Sequence, residues 1–455
     1  MVTLKIEKGG ASPPSVPPMG RGIAAVRELA LRVIGAALQI LATVAVVQAL
    51  APAVAGIYFR GAIICYGLAA VLRGKYDLFI AQHFVEPLAH GSSGLTQGVC
   101  GLAGEEHARA VVRGLGIRVL IRSTIACALL LVFTTDLDVM DVYLRPYLQT
   151  YLPFVLAVPF ATLALFLAST LRAVNHTVGS VIVSSYSINA LIIVAANAIP
   201  TVMPDAPLFV VSWGFFGGCV LAAGMGVLLT RHVFRVPKHP PYMELSDSQW
   251  RDIHTSTSRN GVAGVALAAL QWGPACVLAV LGTPTEIAEY AVAIRTGQII
   301  DFLIPAVIFV PHSARIQSRL CEAMHSARGK LTVDLSVSLA TTTACVLAVG
   351  IATPWLFVGW YGPAYNGLTV LFALVFLMQW VAGAARPAVR QLAAHWDLRR
   401  IRRIMFVGMA GAIIISLVGV NDFGPLAAAV GGVVGALLFN GQALEAAFRQ
   451  VTAEG

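Results

Sequence analysis

The sequence has little charge for its length. Only 12% of its 455 residues are charged, whereas 58% are hydrophobic, and the mean hydropathy is +0.79. A soluble core could not bury so much apolar surface, and so few charges could not cover the outside of a soluble protein. The composition therefore predicts an integral membrane protein. It argues against a nucleic-acid-binding surface, despite the formal net charge of +9.

The sequence also lacks the signatures of nucleotide, metal and hydrolytic sites. It contains no GxxxxGK[ST], HExxH or GxSxG pattern, and no CxxC pair among its seven cysteines. The longest polar loop runs from Arg231 to Arg259 and is too short for an ATPase or glycosyltransferase domain. We therefore expect no enzyme activity, no metal site and no cofactor.

Long apolar runs occupy most of the chain. A helix needs about 20 mostly apolar residues to cross roughly 30 Å of hydrocarbon. We predict an all-α polytopic membrane protein with about twelve transmembrane helices, in two six-helix lobes around a central cavity. The predicted spans are Leu29–Leu50, Ile57–Phe79, Ile117–Thr134, Tyr151–Leu171, Val178–Ile199, Leu208–Leu229, Asn260–Leu281, Glu289–Val310, Leu331–Ile351, Gly367–Val389, Ile404–Val420 and Pro425–Leu444.

Changes in composition divide the chain into tails, lobes and a linker. The first residues are polar and rich in Pro and Gly, which is typical of a disordered tail. Equal numbers of spans flank the loop in the middle, which favours two parallel repeats. The predicted parts are a disordered cytoplasmic tail (1–24), an N-terminal lobe (25–231), a cytoplasmic linker (232–258), a C-terminal lobe (259–446) and a cytoplasmic tail (447–455).

The distribution of basic residues predicts the orientation in the membrane. If the N-terminus is cytoplasmic, 26 of the 31 Lys and Arg residues fall in cytoplasmic positions, and only Arg145 falls in an external loop. Acidic residues such as Asp138 and Glu286 cluster outside. This asymmetry follows the positive-inside rule. We therefore expect a multi-pass protein of the bacterial inner (cytoplasmic) membrane with both termini in the cytoplasm.

Four basic residues remain inside predicted spans. Arg60 lies near the outer end of its helix, where a long side chain can snorkel to the interface. Arg73 and Lys75 lie toward the cytoplasmic end of the same helix, and Arg73 is one helical turn from Asp77, a spacing that allows an ion pair. Arg295 lies about 9 Å into its span, where an arginine facing lipid costs on the order of 2–3 kcal/mol.

Arg295 therefore faces the protein interior or a cavity. Gln298 and Asp301 follow at three-residue intervals and form a polar arc with it. Two interpretations remain open at this point: Arg295 contacts a substrate, or carbonyls or an acid of a neighbouring helix hold it. Other polar residues within predicted spans, Gln39 and Gln271 among them, add to a possible cavity lining or form interhelical hydrogen bonds.

Several short segments in order resemble the MOP flippase superfamily. They are RVIG from Arg32, GIY before the second span, EYAVAIR around the start of the eighth span, and PWLFVGWYGPAYNGLTVLFAL leading into the tenth. The resemblance is to the polysaccharide transporters that move undecaprenyl-pyrophosphate-linked oligosaccharides. It implies a membrane transporter that flips an isoprenoid-pyrophosphate-linked oligosaccharide by alternating access for polysaccharide export.

The resemblance also implies site residues. By similarity to the lipid II flippase of the superfamily, Arg32, Arg73 and Arg295 match its cationic residues, but Leu38 stands where that family has a second first-helix arginine. That family also usually has fourteen helices, so lipid II is a less favoured cargo. MATE multidrug exporters are the other alternative. They bind cationic drugs and generally need intramembrane carboxylates, whereas the first span has none.

These inferences define a set of expected residues and partners. The substrate-binding residues are expected to be Arg295, Arg73, Arg32, Gln298, Asp301, Gln39 and Gln271, and the coupling-ion candidates are Asp77 and Asp301. The expected partners are a lipid-linked anionic glycan and membrane lipids, with a polysaccharide polymerase or glycosyltransferases as candidate protein partners. No nucleic acid is expected, and the protein is expected to be monomeric.

Overall fold

Helices are the only regular elements in the described part of the chain. The computed structural model describes residues 18–80, 102–135, 141–174, 176–203, 205–234, 247–309, 327–354, 359–365, 367–395 and 398–454. We number the main helices α1 (Pro18–Ala49), α2 (Pro52–Ile80), α3 (Leu102–Thr135), α4 (Asp141–Ala173), α5 (Thr177–Val181, Ile182–Tyr186 and Ser187–Val202), α6 (Pro207–Val233), α7 (Asp247–Leu281), α8 (Pro284–Phe309), α9 (Ala327–Ala352), α10 (Thr369–Ala384), α11 (Arg386–His395), α12 (Leu398–Phe423) and α13 (Pro425–Glu454).

Most of these helices are long and apolar enough to cross a membrane. Ten described helices meet both criteria, and α10 is a shorter apolar helix of 16 residues. Helix α8, which carries Arg295, is 26 residues long and occupies the position of the predicted eighth span. The fold is therefore that of a multi-pass membrane protein, and the predicted all-helical architecture is confirmed.

Two predicted boundaries differ from the structure. Helix α1 begins at Pro18, so residues 18–24, which we expected in a disordered tail, are helical; proline is well tolerated in the first turn of a helix. The predicted tenth span, Gly367–Val389, is interrupted at Ala385. Pro387 follows two residues later; its nitrogen carries no N–H, and its ring clashes with the carbonyl of the preceding turn. The apolar run is therefore divided between α10 and α11.

We refer to α1–α6 as the N-terminal lobe and to α7–α13 as the C-terminal lobe, following the sequence division. In the N-terminal lobe, α4 packs against α2, α3 and α6, and α5 packs against α1 and α6. In the C-terminal lobe, α13 packs against α10, α11 and α12, while α10 also contacts α8 and α9. The lobes meet where α2 packs against α7 and α8, and where α1 packs against α8.

Small residues allow the two lobes to approach closely along α2. A Cβ atom added to Gly74 would lie 2.7 Å from the carbonyl oxygen of Gly264 in α7, nearer than ordinary van der Waals contact. At the opposite end of α2, a Cβ added to Gly56 would overlap the carbonyl of Pro284 at the start of α8. Such close backbone approach is typical of helix interfaces built on small residues.

Polar contacts also join the lobes at the end of the molecule where α1 ends and α2 begins. Gln48 Nε2 donates to the carbonyl oxygen of Trp360 at 3.0 Å. Arg60 Nη2 donates to the carbonyl oxygen of Gly282 at 2.7 Å. Arg60 therefore does not snorkel away from the protein as we expected, because a backbone carbonyl of the other lobe lies within its reach.

Candidate functional site

A cavity of about 190 Å³ lies between the two lobes. Helix α2 contributes one face to it, with residues separated by alternating steps of four and three. Such spacing places side chains on one side of a helix. At 1.5 Å per residue, this face extends over roughly 21 Å of the helix. The residues of the face are Phe59, Ile63, Tyr66, Ala70 and Arg73.

Helices α1 and α8 form the wall that carries the predicted polar arc. Arg295 and Gln298 of α8 and Gln39 of α1 all border the cavity. Gln39 Nε2 donates to Gln298 Oε1 at 2.5 Å and lies 3.5 Å from the carbonyl oxygen of Arg295. Three of the predicted site residues are thus brought together, and the amide pair holds α1 against α8 across the lobe boundary.

The Arg295 guanidinium is a half-buried charge at the cavity wall. Its Cζ atom lies 5.7 Å from the centroid of the Phe59 ring, within the range of a cation–π contact. Within the part of the chain that the structure describes, no hydrogen bond or ion pair satisfies the guanidinium. Among the described side chains that border the cavity, none is an acid. The arrangement therefore leaves a positive charge available to a ligand.

Arg73, in contrast, is already paired. Its Nη1 atom contacts Asp77 Oδ2 and lies 3.3 Å from the hydroxyl of Ser169 in α4. Ser169 in turn donates to Asp77 Oδ1 at 2.8 Å. The predicted pair of Arg73 and Asp77 is confirmed. It joins α2 to α4, while the buried Nε atom of Arg73 has no partner in the described part of the chain.

Helix α5 forms the neutral polar wall of the cavity. Residues Ile182–Tyr186 are π-helical, and the C-terminal end of this segment is marked by a bond from the backbone N–H of Ser187 to the carbonyl oxygen of Ile182. Single π-helical turns within α-helices are frequent at functional sites. Ser184, Ser185 and Asn189 from this region border the cavity. Asn189 Nδ2 donates to Ser185 Oγ at 3.1 Å.

An aromatic stack crosses the lobe boundary at the cavity. Trp272 of α7 and Tyr66 of α2 have ring centroids 5.7 Å apart and planes inclined by 24°. Both residues border the cavity. The stack therefore provides an apolar surface beside the charged and amide groups. Because its rings belong to different lobes, relative movement of the lobes would change it.

Other expected site residues lie elsewhere. Arg32 does not border the cavity, because it precedes Gln39 by seven residues, or about 10 Å along α1. Gln271 is exposed and does not border it either, because adjacent helical residues point about 100° apart and Trp272 takes the inward position. The side chain of Asp301 is outside the described residues. Its proposed roles stay predictions.

Two aromatic residues of the cavity wall were missed by sequence reasoning, although the sequence carries a signal for them. Phe59 and Tyr66 belong to the same face of α2 as Arg73, so extending that face toward the N-terminus of the helix would have found them. The contact between the hydroxyls of Tyr361 and Thr296, at 3.2 Å, carries no such signal because 65 residues separate the two positions.

Metal binding has no support among the described side chains. No group of three or more His, Cys, Asp or Glu residues in that part of the chain is arranged to hold an ion. The described Cys65, Cys127, Cys219, Cys276 and Cys345 are free thiols.

Comparison with known proteins was informative only at the level of structure. No model of a known protein family matches the sequence, and no curated protein matches it. An outward-facing multidrug resistance MATE family transporter of the MOP superfamily superposes with a TM-score of 0.56 at 13% identity, covering 95% of this chain and 96% of that chain. The bent form of the Vibrio cholerae MATE transporter VcmN gives 0.51 at 14%, covering 96% and 98%.

A third structure is a MOP superfamily transporter from Pyrococcus furiosus, described as having a binding pocket of reverse polarity that suggests a different function. It superposes with a TM-score of 0.55 at 13% identity and covers 95% of this chain and 96% of that chain. At such low identities the likeness is one of fold. The chain has the fold of the MATE transporters of the MOP superfamily.

Proposed function

We propose that the chain is a transporter that flips an isoprenoid-pyrophosphate-linked oligosaccharide across the membrane by alternating access. The observation that carries the proposal is Arg295, a cation that borders an inter-lobe cavity and has no hydrogen-bonded partner among the described residues. A planar guanidinium can donate two parallel hydrogen bonds to phosphate oxygens, and charge-assisted bonds of this kind are stronger than neutral ones.

The sign of the charge separates this proposal from export of cationic drugs. A cationic ligand beside Arg295 would meet a like charge, with no described acid on the cavity wall to offset it. The P. furiosus transporter, with its pocket of reverse polarity, is a precedent for a different function on this fold. An anionic headgroup is therefore the better match to the cavity.

The size of the cavity requires movement of the lobes. Pockets for drug-sized ligands measure roughly 300–1,000 Å³, whereas this cavity measures about 190 Å³. An oligosaccharide headgroup can therefore enter only after the lobes separate along the contacts of α1 and α2 with α7 and α8. The isoprenoid tail does not have to enter the cavity, because it can stay in the lipid while the charged headgroup crosses.

A MATE-type multidrug exporter is the second candidate function. It is favoured by the fold, which is shared with multidrug MATE transporters, and by the Tyr66–Trp272 stack, which offers an aromatic surface to planar drugs. Under this candidate Arg295 has no direct role in binding the drug. Asp77, which contacts the cavity residue Arg73, would then be the candidate acid for coupling to an ion.

A translocation assay with purified protein in vesicles tests the first function against the second. We expect the protein to move a fluorescent polyprenyl-pyrophosphate oligosaccharide to the opposite leaflet without added nucleotide. Arg295→Ala should abolish this movement. Arg295→Lys should retain part of it, because lysine keeps the positive charge but cannot donate the two parallel hydrogen bonds of a guanidinium. Arg251→Ala is the matched control, since Arg251 is exposed and does not border the cavity.

Expression and thermal stability of each variant must accompany the transport rates. Loss of transport by a correctly folded Arg295→Ala protein supports the proposal. Uptake of ethidium-like cations, with no movement of the glycolipid, would instead support the multidrug candidate.

A further inference from the structure

Besides Arg295 and the Nε atom of Arg73, the cavity wall carries two hydroxyls and an indole N–H that have no protein hydrogen bond in the described part of the chain. They are the hydroxyl of Tyr66, the hydroxyl of Ser184 and the indole N–H of Trp272. All three residues are half-buried, and none of these three groups is among the fully buried polar atoms that lack a partner, so water or a ligand in the cavity can reach them. Their common location at the cavity wall indicates that a ligand or water satisfies them.

The chemistry of these groups restricts the ligand. The indole N–H can only donate, and the two hydroxyls can donate as well as accept. Together with the guanidinium of Arg295, they form a wall rich in donors, which matches a ligand rich in oxygen acceptors. A planar aromatic cation offers few acceptors and would be repelled by Arg295.

The geometry adds an apolar surface to these donors. Tyr66 and Trp272 are stacked, while the π-helical segment of α5 carries Ser184 on another wall of the same cavity. A sugar ring has this combination of properties, since its C–H face packs against aromatic rings and its hydroxyl oxygens surround the edge.

We propose that Tyr66, Ser184 and Trp272 form a subsite for the sugar ring attached to the pyrophosphate, next to the anion site at Arg295. This inference rests on the proposed function and names the residues that recognise the glycan rather than the phosphate. It predicts that the protein distinguishes a sugar-bearing lipid from the bare lipid pyrophosphate.

Equilibrium binding to purified protein in nanodiscs tests the subsite. The two probes are a polyprenyl pyrophosphate and the same lipid with a single hexose, and we expect the second to bind roughly ten-fold more tightly through one or two additional hydrogen bonds. Ser184→Ala and Trp272→Phe should each reduce this ratio toward one. Arg295→Ala should weaken the binding of both lipids and leave the ratio of their affinities unchanged.

Each variant has a control of the same residue type, and the serine control also lies in the same helix. Ser180→Ala removes another unpartnered hydroxyl of α5, and Trp213→Phe removes another unpartnered indole N–H, at positions that do not border the cavity. Neither control should change the ratio.

The possible results separate the subsite from the proposed function. Equal binding of the two lipids by the wild-type protein would overturn the sugar subsite and leave the function intact. A ratio that persists in both Ser184→Ala and Trp272→Phe would overturn the assignment of these residues. Failure of both lipids to bind would overturn the proposed function together with the inference.

Discussion

Gly74→Ala is predicted to loosen the packing between the lobes. The added Cβ would lie 2.7 Å from the carbonyl oxygen and 2.9 Å from the carbonyl carbon of Gly264, both backbone atoms that cannot rotate away. Ordinary contact begins at 3.4 Å, so α2 and α7 must separate by roughly 0.7 Å. Overpacking of this kind costs about 1–3 kcal/mol, whereas replacing glycine by alanine within a helix recovers about 0.5–1 kcal/mol.

Because α2 is helical whether the lobes are packed or separated, the gain in helix propensity cancels, and the overpacking cost falls on the packed arrangement alone. A difference of about 1–3 kcal/mol changes the equilibrium between packed and separated lobes by a factor of roughly 5–160. Arg113 in α3 and Arg403 in α12 are both exposed and can each be replaced by a spin-labelled cysteine. The distance between the two labels reports the separation of the lobes at the membrane face nearest Gly74. We expect the population at longer distances to increase in Gly74→Ala.

Gly224→Ala provides the control for this measurement. A Cβ at Gly224 in α6 meets no atom within 4 Å, so the substitution should leave the distances unchanged. A Gly74→Ala protein with the same distance distribution and thermal stability as the wild type would refute the reasoning. The interface between α2 and α7 would then accommodate an added methyl group without moving.

Three further predictions concern charged residues. Arg60→Ala removes a hydrogen bond between the lobes, so spin labels at the opposite membrane face should report a wider separation; an unchanged distance would contradict this role. Asp77→Ala leaves the half-buried Arg73 without its carboxylate and should destabilise the protein by about 1–3 kcal/mol, with a smaller additional loss in the double alanine variant; strictly additive losses would argue against the pair. Finally, a cysteine replacing Asp247 should react with an impermeant reagent only from the cytoplasm, and one replacing Glu286 only from outside; the reverse pattern would overturn the predicted orientation.

Much of the fold follows from local properties of the sequence. Length and apolarity alone identify helices such as α4 and α6, because a segment in lipid must satisfy its backbone hydrogen bonds internally. The break near Pro387 could also have been read locally, since proline interrupts a helix wherever it occurs in the interior. The early start of α1 at Pro18 was missed because a helix outside the membrane needs no apolar run.

The candidate site could be predicted only in part. The position of Arg295 within an apolar span was enough to place it in the protein interior, and Gln298 followed from helical spacing. In contrast, the partners of Arg60 and Gln39 could not be deduced. Gly282 and Gln298 lie more than 200 positions away in sequence, and which helix faces which depends on the packing of all the helices together.

The sequence by itself determined that the chain is a helical membrane protein with a cation deep in its eighth span, because bilayer thickness and the cost of burying charge act on each segment separately. The tertiary structure decided which polar residues share a cavity. It paired Arg73 with Asp77 and Ser169 and turned Gln271 away from the cavity. It also placed Arg295 at the same cavity as Tyr66 and Trp272, with a cation–π contact to Phe59 but no hydrogen-bonded partner for its guanidinium among the described residues. These distinctions depend on the rotation of each helix and on its neighbours, which are set by close packing over the whole molecule.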